Sequence, residues 1–210
     1  MDSVTICNMA LMAAGIPPIT SFDETNDNAK LCKSFYPVLR DRVLRDHSWS
    51  FATSYLVLQQ MAEKSPDPEY PFVAALPGDI IRVVSTLGDI PFRRIGNKLL
   101  IKELPATLIV IRKVEDPNLF DPAFIEALQN LLSAEIVLSA SRDIQQAQYF
   151  RQEYERKLAI ARSIDSQENS TAYQLRDEPG SFIASRSGYA ALHRSGKVNF
   201  VKGNAGMQVV

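Results

Sequence analysis

Two cysteines, two histidines and one tryptophan among 210 residues leave little from which to build the commonest sites. Cys7 and Cys32 are too few for a disulfide framework. Both fall on apolar helical faces and read as reduced core thiols, which points to a cytosolic compartment. With His47 and His193 they show no CxxC or HxxxH spacing, so no zinc and no other cofactor is expected. Charge of one sign is also missing: the net charge is −1. A chain that grips nucleic acid by its phosphates needs a clustered basic excess, so tight binding of that kind is not expected. No run of eighteen apolar residues occurs, and MDSVTICNMA lacks the basic region of a signal peptide, so no membrane span or export is expected.

Catalytic patterns are missing as well. There is no G-x-x-x-x-G-K-[ST], no G-x-G-x-x-G after a strand, no G-x-S-x-G and no H-E-x-x-H. The carboxylate pairs Asp23/Glu24 and Asp116/Asp121 could serve glycoside hydrolysis in principle, but they fall in turn and cap contexts that already explain them. His47, close to Trp49, reads as a packing or hydrogen-bonding residue where a helix gives way to a strand. An enzyme is therefore not expected. A virion-associated peptidoglycan hydrolase and a DNA-binding virion protein are the alternatives to a structural role.

What is present is a composition 46% hydrophobic and 22% charged, enough for one globular core and a smaller lobe. Residues 3–14 predict a first helix, with Ser3 as N-cap, Cys7, Ala10, Leu11 and Ala14 inward, and Gly15 as the stop. A second helix begins near Asn26, and its period is carried by Leu31, Phe35, Leu39 and Val43. Pro37 falls inside it and removes one amide, which predicts a bend. After Asp46 the alternation of Trp49, Phe51, Tyr55 and Val57 predicts a half-buried strand.

Glu63–Pro71, EKSPDPEYP, is a proline-rich surface loop. Four apolar segments follow, IIRVVSTL, PFRRI, KLLIKEL and TLIVIRKV, with turn pairs at Gly88–Asp89 and Gly96–Asn97. They predict an antiparallel meander of hairpins. Helix returns after the Asp121 cap and Pro122, with a stripe of Ile125, Leu128, Leu132 and Ile136. Another helix is predicted from about Asp143 to Ser163, with Arg151/Glu155 and Glu153/Lys157 paired at i, i+4.

From Gln167 the chain turns rich in Ser, Gly, Asn, Ala and Gln, and from Pro179 onward it carries four basic residues and no acid. Such a stretch does not bury enough apolar surface to fold alone and predicts a tail that docks on a partner. The expected class is α+β, mainly α: an antiparallel helical bundle (1–48 and 114–165), an inserted β meander (49–113) and an extended C-terminal tail (166–210).

Four segments, in order, carry a resemblance: ALMAAGIPPITSFDE (10–24), FYPVLRDRVLRDHSWSFA (35–52), LPGDIIRVV (76–84) and DPNLFDPAFIEALQNLLSAEI (116–136). Together they resemble the podovirus tail tubular protein A family, the head-to-tail connector adaptors or tail accessory factors. The resemblance implies a structural virion protein at the head–tail interface, assembled in the host bacterial cytoplasm. Copies would form a twelve-fold ring beneath the portal protein, offer a platform to the nozzle or next tail protein, and let genomic DNA pass without specific binding. On that basis Phe182, Ile183, Arg186, Tyr189, Leu192, Arg194 and Phe200 are expected to dock on the portal. Arg40, Asp41, Arg151 and Glu155 would form subunit contacts on charged outer faces, and Pro68, Tyr70, Phe92, Arg93 and Arg94 would face the nozzle.

Overall fold

Helix α1 (Ser3–Ala13) starts because Asp2, not Ser3, is extended and turns its carboxylate onto the free amide of Thr5, 2.8 Å away. It stops at Gly15, whose φ of 72° lets the Gly15 and Ile16 amides return to the carbonyls of Met12 and Leu11. Asn26 caps α2 (Asp27–Asp46) through the Ala29 amide, and the helix continues through Pro37. Asp121 caps α3 (Pro122–Ala140) as the sequence suggests. After the link at 141–143, α4 runs Ile144–Gln174, well past Ser163. This computed structural model describes residues 1–174, 200–203 and 206–209, the side chains being described up to Glu168.

The chain is mixed α and β, and it divides into two compact units, Met1–Gln167 and Glu168–Val210. The first unit holds a large core built from α1, α2, α3 and α4, into which Trp49, Ala52 and Ile111 also project. Helix α3 is long and apolar enough to cross a bilayer, but most of it is buried among the chain's own helices, and it serves as their core.

The β region is not a meander. Strands β1 (Thr53–Val57), β3 (Ile80–Thr86) and β6 (Thr107–Arg112) form one antiparallel sheet in the order β1-β6-β3. Strands β2 (Phe72–Ala75), β4 (Phe92–Ile95) and β5 (Lys98–Ile101) form another, in the order β2-β5-β4. Only β4 and β5 make a hairpin between consecutive strands, around Gly96–Asn97. The Gly88–Asp89 turn instead carries the chain from one sheet to the other, with φ of 83° and 55°. The reason lies in burial: Leu108 and Val110 of one sheet and Leu99 and Ile101 of the other share one small core, which a single flat sheet could not close. Strand β2, the short FVAA, carries no alternation and is missed by periodicity.

The first strand also begins later than predicted. Ser50–Ala52 is a 3-10 turn, and Trp49 and Phe51 belong to the helical core rather than to the sheet. Tyr55 and Val57, expected inward, are 67% and 65% exposed. The alternation was real, but it joined two residues of a corner to the outer face of a strand.

The second unit is described only in part. It contains the end of α4 and a hairpin of β7 (Phe200–Gly203) and β8 (Gly206–Val209), paired from Phe200↔Val209 to Gly203↔Gly206. The extended tail expected over 166–210 is therefore not what its described residues form. The Gly203-Asn204-Ala205-Gly206 run between two apolar segments is a turn signal of the kind that marks Gly96–Asn97.

Candidate functional site

The corner after α2 is built first by aromatic packing. Trp49 is fully buried and donates its indole N–H to the Val43 carbonyl, 2.9 Å away. Phe124 meets it edge-on at 5.2 Å, Phe51 stacks at 6.0 Å, and Phe120 closes the group against Phe124 at 4.9 Å. Such pairs add directional preference to simple burial.

Helix α4 then fastens the corner from outside. Asp165, only 6% exposed, accepts the Ser50 amide at 2.9 Å and faces His47 Nε2 at 3.0 Å, while the His47 ring meets Trp49 edge-on. One turn below, Arg162 donates to the Asp46 carbonyl at 3.0 Å, and Tyr154 donates its hydroxyl to the Asp46 carboxylate at 2.8 Å. Burial, then the bond to Asp46, raises the Tyr154 phenol well above its ordinary range. His47 is thus a hydrogen-bonding residue of the corner. Asp165 escapes a sequence reading, because a lone Asp late in a long helix gives no sign of being buried.

The two cysteines lie in the same core, on α1 and α2, fully buried. The hydrogen bond with Cys32, then burial, pushes the Cys7 thiol far up, which keeps it neutral. Asp116 and Asp121 both cap, accepting the amides of Asn118 and Ala123. Among the described residues no group of three or more His, Cys, Asp or Glu converges on a point that could hold a metal.

The charged residues expected on outer faces are placed differently. Arg40 is only 4% exposed: its guanidinium donates to the neighbouring Asp41 at 2.7 Å and lies 5.9 Å from the Tyr36 ring. Glu115 approaches it at 3.9 Å and pairs with Lys113 at 2.9 Å. The bond to Lys113 holds the Glu115 carboxyl below its usual range. Arg40 therefore ties α2 to the segment after β6 and does not face outward. A cation takes that place because its stem covers apolar surface while two carboxylates meet its head.

Arg151 pairs with Glu135 of α3 at 3.0 Å, not with Glu155, which is exposed. Glu153 pairs with Arg156, and Lys157 reaches Glu126. Contacts between helices displace the i, i+4 pairs that periodicity predicts, which contribute only tenths of a kcal/mol on one helix.

Three of the residues expected to face a nozzle come together. Arg93 on β4 donates to Asp67 at 2.7 Å and lies 5.2 Å from the Tyr70 ring, fixing the Glu63–Pro71 loop against the β4–β5 hairpin. Pro68 and Arg94 are exposed, and Phe92 is half-buried. Phe182, Ile183, Arg186, Tyr189, Leu192 and Arg194 lie outside the described residues, and Phe200 opens β7.

Two concavities are open to solvent. One of about 560 Å³ lies between the start of α2 (Asp27, Lys30, Leu31) and the end of α3 (Ser139, Ala140). The other, about 330 Å³, lies over the β3–β4 connection. Neither gathers groups that could activate a nucleophile or move a proton.

The surface that sequence reasoning missed is the outer face of the first sheet. Along β6, Ile111 enters the helical core, but Ile109 and Thr107 lie further out on the same face, beside Tyr55 and Val57 of β1. Leu87, whose amide donates to the Thr107 carbonyl, continues that row and is 54% exposed. The face offers side chains that can bind a surface and no group that can do chemistry. No protein-family model matches this chain, and no curated protein sequence matches it.

Proposed function

We propose that this chain is a head-to-tail adaptor of a phage virion: a structural subunit that assembles in a ring between portal and nozzle and extends the channel through which DNA leaves. The observation that carries this reading is what the four resembling segments do. The 35–52 segment supplies Tyr36, Leu39, Val43, Leu44, Trp49 and Ala52 to the large core, and 116–136 supplies Phe120, Phe124, Leu128 and Leu132 to it. The 10–24 segment forms the end of α1 and its glycine stop, and 76–84 contributes Leu76 and Ile80 to the β core. The resemblance therefore falls on the residues that specify an architecture, and one unit contains all four segments.

The helical body is an antiparallel bundle in this reading. Arg151 reaches back to Glu135 and Lys157 further back to Glu126, the order of contacts between helices running in opposite directions. Copies pack side by side into the twelve-fold ring. A net charge of −1 suits a lumen through which DNA slides without being held. The basic stretch after Pro179 docks on acidic portal surface, with Phe182, Ile183, Tyr189 and Leu192 as apolar anchors and Arg186 and Arg194 as cations. The loop fixed by Arg93, together with Phe92 and Arg94, faces the nozzle. The site of action is the virion's head–tail interface.

The test is to mix the full chain with the portal ring encoded beside it and image the product by negative-stain electron microscopy. A second ring stacked on the portal is expected, and its loss in a chain ending at Gln174 is expected as well. Ending the chain at Ile164 would be the wrong control, since that cut removes Asp165 from the corner. A portal that stays bare with the full chain overturns the reading.

A further inference from the structure

Strand β1 has a free edge. The Leu58 amide donates to the Ala106 carbonyl at 2.9 Å, so Leu56 and Ser54, two and four residues earlier, also face β6. Tyr55 and Val57 alternate with them, and their N–H and C=O groups point away from β6, where the sheet order places no further strand. The other free edges are guarded. The outer edge of β2 is met by Gln60 and by the Met61 amide, which donates to Val73 at 2.8 Å. Strand β4 carries Arg93 and Arg94 at its edge. Strand β1, TSYLV, has neither charge nor proline, and it borders the apolar outer face. Exposed edges without such guards invite another strand.

The chain also contains a sheet that is short of strands. The β7–β8 hairpin is hydrogen-bonded only within itself, and an isolated two-stranded hairpin is marginal in water. Its strands, FVKG and GMQV, carry one lysine and no acid, so no like charge opposes pairing with β1. Between Gln174 and Phe200 lie 25 residues. Fully extended, that length reaches at most about 85 Å, several times the width of a small domain.

We propose that the C-terminal hairpin of one copy adds to the β1 edge of a second copy, extending its three-stranded sheet. The occupant is a second copy because the single chain leaves both elements unpaired: Tyr55 and Val57 stay exposed with the hairpin's own chain complete. Main-chain hydrogen bonds supply the affinity, and the apolar row of Tyr55, Val57 and Leu87 supplies the contact surface. Hairpin and edge are different patches, so the contact is heterologous and propagates around a ring or along a filament. This goes beyond the adaptor reading, and its test contains no portal, so the two fail separately.

The test uses two full-length variants, Val57→Cys on the edge and Gln208→Cys in the hairpin, with Val201→Cys as the alternative hairpin position. The native thiols, fully buried, stay out of the reaction. Mild oxidation of an equimolar mixture is expected to give a disulfide between the two variants, read by non-reducing electrophoresis and peptide mass spectrometry. Adding Tyr55→Pro to the edge variant is expected to abolish it, because proline removes an outward amide while leaving the bonds to β6. Circular dichroism of that variant checks that the fold persists. Three results overturn the proposal: no disulfide with either hairpin position, Val57→Cys pairing only with itself, or the doubly substituted chain closing on itself at high dilution.

Discussion

The corner at Trp49 and the edge at Tyr55–Val57 are only a few residues apart, yet they are opposite kinds of structure. At the corner every large group is enclosed: the indole finds a carbonyl, the Ser50 amide finds Asp165, and four aromatic rings fill the space between α2 and α3. At the edge, two large apolar side chains and two amides face outward with no described neighbour to meet them. The residues that resemble an adaptor family lie mostly at the closed region, and the surface with unused binding capacity is the open one. What makes this chain recognisable is thus largely what makes it fold.

The strongest way to break that contrast is Trp49→Ala. It is expected to cost about 3–5 kcal/mol, the usual range for emptying a large aromatic site in a core, and urea unfolding would measure it. Asp165→Ala comes next. It leaves the Ser50 amide and the His47 ring without their acceptor, and about 1–3 kcal/mol is expected. The same denaturation series checks it, and a value near zero would mean that α4 does not fasten the corner.

A smaller effect is pH-dependent. Burial raises the Tyr36 phenol to about 12 and raises Tyr154 further. Both phenols hold their protons more tightly in the folded chain than in the unfolded one, where about 10 is normal. Their contribution is therefore fully present below about pH 10 and is lost as pH climbs through the folded values. Unfolding midpoints are expected to stay flat up to about pH 10 and then fall, with a shallower fall in Tyr154→Phe. At neutral pH that substitution should cost only about 1 kcal/mol, because the Asp46 carboxylate it abandons is open to water.

The smallest effect sharpens the comparison from the other side. Tyr55→Lys with Val57→Lys should change stability by no more than about 0.5 kcal/mol per position, as exposed substitutions do. A large loss would mean that the edge is a buried part of the fold and not an open surface.

Much of the helical architecture was legible because its signals are local. The Asn26 and Asp121 caps, the Gly15 stop and the buried stripe of α3 each depend on a few neighbouring residues. The partners of charged groups were not legible. Arg40 and Asp41 look like a solvated pair in sequence, and Arg151 looks paired with Glu155. Which carboxylate a guanidinium meets depends on which helix lies alongside. The β region shows the same limit: the turn at Gly88–Asp89 is plain, but whether a turn folds a strand back or sends it to another sheet depends on where apolar surface remains to be covered.

By itself, then, the sequence determined where helices start and stop, that two apolar clusters would form, and that its His and Cys residues are too few and too scattered for the usual metal-ligand spacings. Caps, stops and periodicity act over a handful of residues, and any fold must respect them. Tertiary structure alone decided that Trp49 turns into the helices while Tyr55 and Val57 turn out, that Arg40 is enclosed, that Asp165 closes the corner, and that β1 is left at an edge. Those outcomes depend on contacts across more than a hundred residues of chain, and the energy of a contact exists only once both sides have been brought together.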